Sequence, residues 1–100
     1  MRAGGRLREW FTSGIAGKAT ANLKKHRVSF TEAAGVFFDP LAVTYQDPDH
    51  SQDEQRYITI GESTRGRVIL VAHLDRGDRV RIISARRATR REAHEYSETR

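Results

Sequence analysis

The sequence predicts an α+β domain: a four-stranded antiparallel meander with two N-terminal helices and one C-terminal helix. Three observations predict it. Two Ser/Thr-x-x-Glu patterns, Ser29 with Glu32 and Thr89 with Glu92, mark helix starts. Between them lie four strand-like runs, residues 41–46, 56–62, 67–75 and 79–86. The intervals carry turn signals, Asp47-Pro48-Asp49, Arg65-Gly66 and Arg76-Gly77-Asp78, and are short enough to join only antiparallel neighbours.

Residues 1–16 form a poorly defined N-terminal segment, because Gly4, Gly5 and Gly14 interrupt any helix. Residues 17–100 form a single domain. Its first element is a short basic helix over 17–27, with Ala19, Leu23 and His26 on one stripe. His26 closes this helix, where a cation suits the dipole. Ser29 opens the second helix: its oxygen can accept the Glu32 backbone N–H, and the Glu32 carboxylate can reach back to the Ser29 N–H. Phe30, Ala33, Ala34 and Phe37 share a face, and Asp39-Pro40 stops the helix. Of the four strands, residues 67–75 are apolar on both alternations, which places that strand near the sheet centre. Thr89 opens the final helix, which ends near Glu98. Along the last strand, strict alternation puts Arg79, Arg81, Ile83 and Ala85 on one face and Val80, Ile82, Ser84 and Arg86 on the other.

Charge narrows the function. Between positions 79 and 91 the chain carries six arginines, Arg79, Arg81, Arg86, Arg87, Arg90 and Arg91, and no acid. Arginine is always charged and presents a planar fork of donors that matches phosphate. With a net charge of +5 and a pI near 10.2, the chain is suited to a polyanion, and RNA is the first to consider. The acidic stretch at 45–55 either attracts the basic ends or keeps RNA off one edge. No cysteine is present, which excludes a disulfide framework, a thiolate nucleophile and a zinc–cysteine site. No segment reaches the roughly 20 apolar residues of a membrane span. The N-terminus lacks the continuous apolar middle of a signal peptide, so the chain reads as cytoplasmic. Gly-rich phosphate loops, G-x-S-x-G and HExxH are all missing.

Metal-free RNA cleavage needs a base for the ribose 2′-OH, cations for the charged phosphorane and an acid for the leaving 5′-oxygen. Arg86 and Arg87, adjacent at a strand end, are candidates for the cations. A mid-strand Arg81 among apolar neighbours either sits in a groove or pairs with an acid. His73 can take or give a proton near neutral pH; the structural alternative is a half-buried strand histidine with a satisfied hydrogen bond. Tyr96 either orients RNA or packs its helix on the sheet. Asp47, Asp49 and His50 suggest a metal site, but acids this close in a turn more often serve as caps.

Several phrases, in this order and spacing, closely resemble the BrnT family of bacterial toxins. They are Lys18 with Asn22-Leu23-Lys24-Lys25-His26, Val28-Ser29-Phe30 with Ala33, Phe38-Asp39-Pro40-Leu41 and Asp47-Pro48-Asp49-His50. After these come Glu54 with Tyr57-Ile58-Thr59-Ile60-Gly61, Arg76-Gly77-Asp78, Arg81-Ile82-Ile83-Ser84-Ala85-Arg86, and Ala88-Thr89 with Glu92 and Tyr96. The match covers residues 18–97. The resemblance implies a RelE-like fold and a ribonuclease toxin of a type II toxin–antitoxin system. Its RNA cleavage would be metal-independent, without a cofactor, and would inhibit translation and growth. It also implies a BrnA-type antitoxin that neutralises the toxin and carries the contact with operator DNA. Carried over by position, the catalytic candidates are His73, Arg81, Arg86 and Arg87. Lys25, Arg90, Arg91 and Tyr96 are the RNA-binding candidates. The start departs from the pattern. Where the family has an aromatic-rich strand ending in Trp-Asp, this chain has Gly14 and Ile15, with Trp10 and Phe11 earlier. A decayed, non-catalytic nucleic-acid- or partner-binding module is the alternative.

Overall fold

A computed structural model describes residues 16–50 and 55–98. The elements are α1 (Ala16–His26), α2 (Phe30–Gly35), a 3-10 turn (Val36–Phe38), β1 (Val43–Gln46), a second 3-10 turn (Pro48–His50), β2 (Arg56–Glu62), β3 (Val68–Arg76), β4 (Arg79–Arg87) and α3 (Arg90–Glu98). All strand neighbours are antiparallel, in the order β1-β2-β3-β4. The predicted meander and its three helices are therefore the observed fold. The aromatic strand of the family pattern falls at positions outside the described residues.

Local chemistry explains the boundaries. Ser29 Oγ accepts the Glu32 N–H at 2.9 Å, which starts α2. The other half of the predicted capping box does not form. Glu32 instead turns inward and accepts from Arg67 Nε at 2.9 Å and from the Ser63 hydroxyl at 2.7 Å. A buried carboxylate gains more from a guanidinium than from one backbone N–H. At Thr89 both halves form: the Glu92 N–H reaches Thr89 Oγ1 at 3.1 Å, and the Thr89 N–H reaches Glu92 Oε1 at 2.8 Å. The first strand starts two residues later than predicted. Asp39 Oδ1 accepts the Leu41 N–H, and the Ala42 N–H closes a turn on Asp39 O.

Two glycines are sterically required. Gly77 opens the two-residue β3–β4 hairpin at φ 61°, a conformation side chains resist. At Gly61 a Cβ would lie 2.9 Å from both the Ala42 Cβ and the Val36 Cγ1, so only glycine lets the 3-10 turn cross β2 this closely.

The sheet has two unlike faces. On one, Val28, Phe30, Ala33, Ala34 and Val36 pack against Ile69, Val71, Val80, Ile82 and Ala85. On the other, α3 lays the buried Tyr96 over Ile60 and Leu70, beside Ile58, Val68 and Ala88. The predicted α1 stripe needs one correction. Leu23 is half exposed, and the buried residue is Asn22. Its amide donates to Ala85 O at 2.8 Å and Val28 O at 2.9 Å, and its Oδ1 accepts the Ala85 N–H at 3.0 Å. Asn22 thus supplies the backbone partners that β4 lacks on its outer edge.

Candidate functional site

Register decides which arginines meet. His73 pairs with Ile82, but Ala72 pairs with Ser84, so Ile83 has no partner and forms a β-bulge. The bulge inverts the alternation beyond it. Val80, Ile82 and Ala85 all enter the helix-side core. Arg81 and Arg86 consequently fall on the same face, paired across the sheet with Leu74 and Leu70. This corrects strict alternation, which put them on opposite faces. Arg87 pairs with Ile69 and belongs to the helix side.

The face that carries Arg81 and Arg86 can be read row by row from the pairing. One row runs Val43, Ile60, Leu70, Arg86; the next runs Tyr45, Ile58, Ala72, Ser84; the third runs Arg56, Leu74, Arg81; and the last is Arg76 with Arg79. α3 covers the first row through Tyr96. The remaining rows present a floor of partly exposed small and apolar residues framed by arginines. Arg81 stands exposed, so it incurs no burial penalty and needs no acid. Arg56 lies 3.5 Å from the buried Asp47, and Arg76 Nε donates to Gln55 at 3.0 Å.

Arg86 is held by geometry. Its two terminal nitrogens donate to the two Glu92 oxygens, each at 2.9 Å, and Nη1 also reaches Arg87 O at 3.2 Å. The guanidinium, together with the Thr89 cap, holds the Glu92 carboxyl down at about 2. Glu92 is therefore a fixed anion near neutral pH that orients Arg86. The Arg86 side chain stays 41% exposed, which leaves donors for a ligand. Nearby, burial pushes the Tyr45 hydroxyl above its usual range, with the Glu92, Arg86 and Asp47 charges also felt there.

His73 lies elsewhere. It is on the helix-side face and 1% exposed. Nδ1 meets Asp75 Oδ1 at 2.6 Å, and Nε2 meets Thr59 Oγ1 at 2.7 Å, which in turn meets Thr44 Oγ1 at 2.7 Å. Phe37 packs edge-on and Tyr57 stacks on the ring. Both ring nitrogens are thus engaged in a nearly solvent-free site next to the bulge, which matches the structural alternative, a strand histidine with satisfied hydrogen bonds. Tyr96 is 4% exposed and donates its hydroxyl to Asp39 Oδ2, which packs α3 on the sheet, one of the two readings its sequence position allowed. Lys25 is exposed at the end of α1. Arg90 and Arg91 are exposed on α3, and Arg91 lies 3.6 Å from Glu95. Among the described residues no three His, Asp or Glu side chains converge. Asp47 serves as a turn cap for the Asp49 N–H at 3.0 Å.

Sequence reasoning missed Tyr45 and Asn22. Tyr45 is the only aromatic of β1, and it became visible only once register put it in the row beside Arg86.

A small α+β domain with an arginine-framed, half-open sheet face is suited to meet a polyanion. The family model for the ribonuclease toxin BrnT of type II toxin–antitoxin systems matches residues 16–92, and the chain belongs to that family. The fold is also similar to the 1.1 Å crystal structure of the Brucella abortus ribonuclease toxin, BrnT. The TM-score is 0.61 at 21% identity, over 77% of this chain and 94% of that one. No curated protein matches the sequence.

Proposed function

We propose that the chain is a metal-independent endoribonuclease that binds RNA on the half-open sheet face. The observation that supports this most is the bulge at Ile83, which brings Arg81 and Arg86 onto one exposed face. Arg86, oriented by Glu92, neutralises the scissile phosphate as charge builds on the phosphorane. Arg81 holds the adjoining phosphate, two rows away. Arg90 and Arg91 extend the basic surface along α3, while Arg87 and Lys25 add to the long-range field. Charge stabilisation is the contribution assigned to the protein: as the 2′-oxygen bonds to phosphorus and the P–O5′ bond breaks, solvent water takes the 2′-OH proton and supplies one to the 5′-oxygen, while His73 positions the strands. A BrnA-type antitoxin silences this activity in the cytoplasm, and operator DNA is reached only through that antitoxin. Free toxin inhibits translation and growth.

The test is cleavage of total bacterial RNA in EDTA by the parent and by the Arg81→Ala/Arg86→Ala variant, with folding checked by circular dichroism. Cleavage by the parent and a loss of about 100-fold or more in the variant supports the reading. Equal cleavage by a folded variant refutes the site.

A non-catalytic module is the second reading, favoured by the engagement of Arg86 with Glu92. It predicts RNA binding that weakens steeply with salt, without product.

A further inference from the structure

Between β1 and α3 lies an open-sided groove of about 190 Å³, lined by Val43, Tyr45, Ile60, Glu92, Glu95 and Tyr96. The Tyr45 ring is 43% exposed at its mouth. Val43 and Ile60 supply an apolar floor. Among the described residues no Lys, Arg or amide side chain lines it, so the hydrogen-bonding side chains there are carboxylates and phenol hydroxyls.

The two carboxylates are not equivalent. Both Glu92 oxygens are engaged by Arg86, and one also caps Thr89. Among the described residues Glu95 has only a 3.6 Å approach to Arg91, between two largely exposed side chains, which is too long for a hydrogen bond and weak as an ion pair. Its two oxygens are open acceptors on the wall of an apolar slot. The fitting ligand is flat, stacks on a phenol ring and carries adjacent N–H donors. Among the bases guanine alone offers two such donors, N1–H and N2–H, on one edge, matching the fork of a carboxylate. Adenine and cytosine offer one amino group each, and uracil a single ring N–H. Unpaired bases in single-stranded RNA are recognised through stacking and edge contacts of this kind.

We propose that this groove is a nucleobase subsite that selects guanine, its ring against Tyr45 and its N1–H and N2–H donated to the Glu95 carboxylate, beside the phosphate held at Arg86. The inference rests on the RNA-binding reading above and adds a base preference to it.

The experiment is fluorescence anisotropy with labelled 2′-O-methyl pentanucleotides, which resist cleavage, having four uridines and a central G, A, C or U. The parent is expected to bind the G oligonucleotide about tenfold more tightly than the others, as one bidentate contact allows. Glu95→Gln removes that preference, because the amide offers only one acceptor oxygen. Tyr45→Ala weakens all four. Glu98→Gln, which lies outside the groove, preserves the preference. Equal affinity for all four bases, or a guanine preference that survives Glu95→Gln, overturns the subsite while the RNA-binding reading stands. Absence of binding to every oligonucleotide at low salt removes that reading, and the subsite with it.

Discussion

On the helix-covered face of the sheet, His73 is 1% exposed and spends both ring nitrogens on Thr59 and Asp75. On the opposite face Arg81 stands in solvent, and Arg86 is pinned by Glu92 with much of its surface free. Both faces draw on the same two strands, β3 and β4, and the one unpaired residue Ile83 sets which side chains go where. The contrast separates two ways a titratable or charged group can serve a small domain. Buried and fully satisfied, it fixes strand register; exposed but oriented, it is available to a ligand.

The largest expected effect comes from exchanging the faces. Arg86→Ala is expected to lower RNA cleavage about 100-fold or more, because it removes charge where the phosphorane forms. Arg87→Ala, one residue on but across the sheet, changes it less than tenfold. Initial rates on the same RNA compare the two directly, and equal losses erase the distinction between faces.

Next in size is the covered face. His73→Ala leaves a cavity and strands the Thr59 and Asp75 partners, at a cost of about 3 kcal/mol in unfolding free energy. Urea denaturation measures this. The remaining folded protein is expected to keep the pH–rate profile of the parent, whereas a lost limb in that profile restores a proton-transfer role to His73.

A smaller effect sharpens how Arg86 is held. The Glu92 carboxyl is lowered from the usual 4.5 to about 2 by Arg86 and the Thr89 cap. A depressed carboxyl contributes stability that is fully present above its unfolded value. That stability is lost as pH falls through about 4.5 toward 2. Because Arg86 is partly exposed, the contribution is about 1–2 kcal/mol after solvent screening. Glu92→Gln should therefore destabilise the protein at pH 7 and flatten its stability profile between those values. A variant with the parent's acid profile shows that the pair contributes nothing.

Much of the fold was legible because its signals are local. The turn residues around Asp47-Pro48, Gly66 and Gly77, together with the apolar runs, placed every strand to within two residues. Thr89 with Glu92 formed the complete cap that its spacing implies. What escaped was non-local. Glu32 abandons its own N-terminus for Arg67, 35 positions away, and no window around Ser29 contains that partner. Asn22 looks like an ordinary polar residue of a basic helix until Ala85 is placed beside it. The bulge is the sharpest case. Residues 79–86 alternate well enough to read as a regular strand, yet pairing with β3 inverts the pattern after Ile82. The candidate arginines were therefore visible by type, and the face that Arg81 and Arg86 share was not.

The most direct measurement is an NMR titration of the labelled protein with a non-cleavable 2′-O-methyl oligonucleotide, followed by backbone and arginine side-chain shifts. The predicted result is a set of perturbations along Tyr45, Ile58, Ala72, Arg81, Ser84 and Arg86, with Lys25, His73 and Arg87 nearly unmoved. Perturbations centred on α1 and Arg87, with the open face silent, would contradict the account.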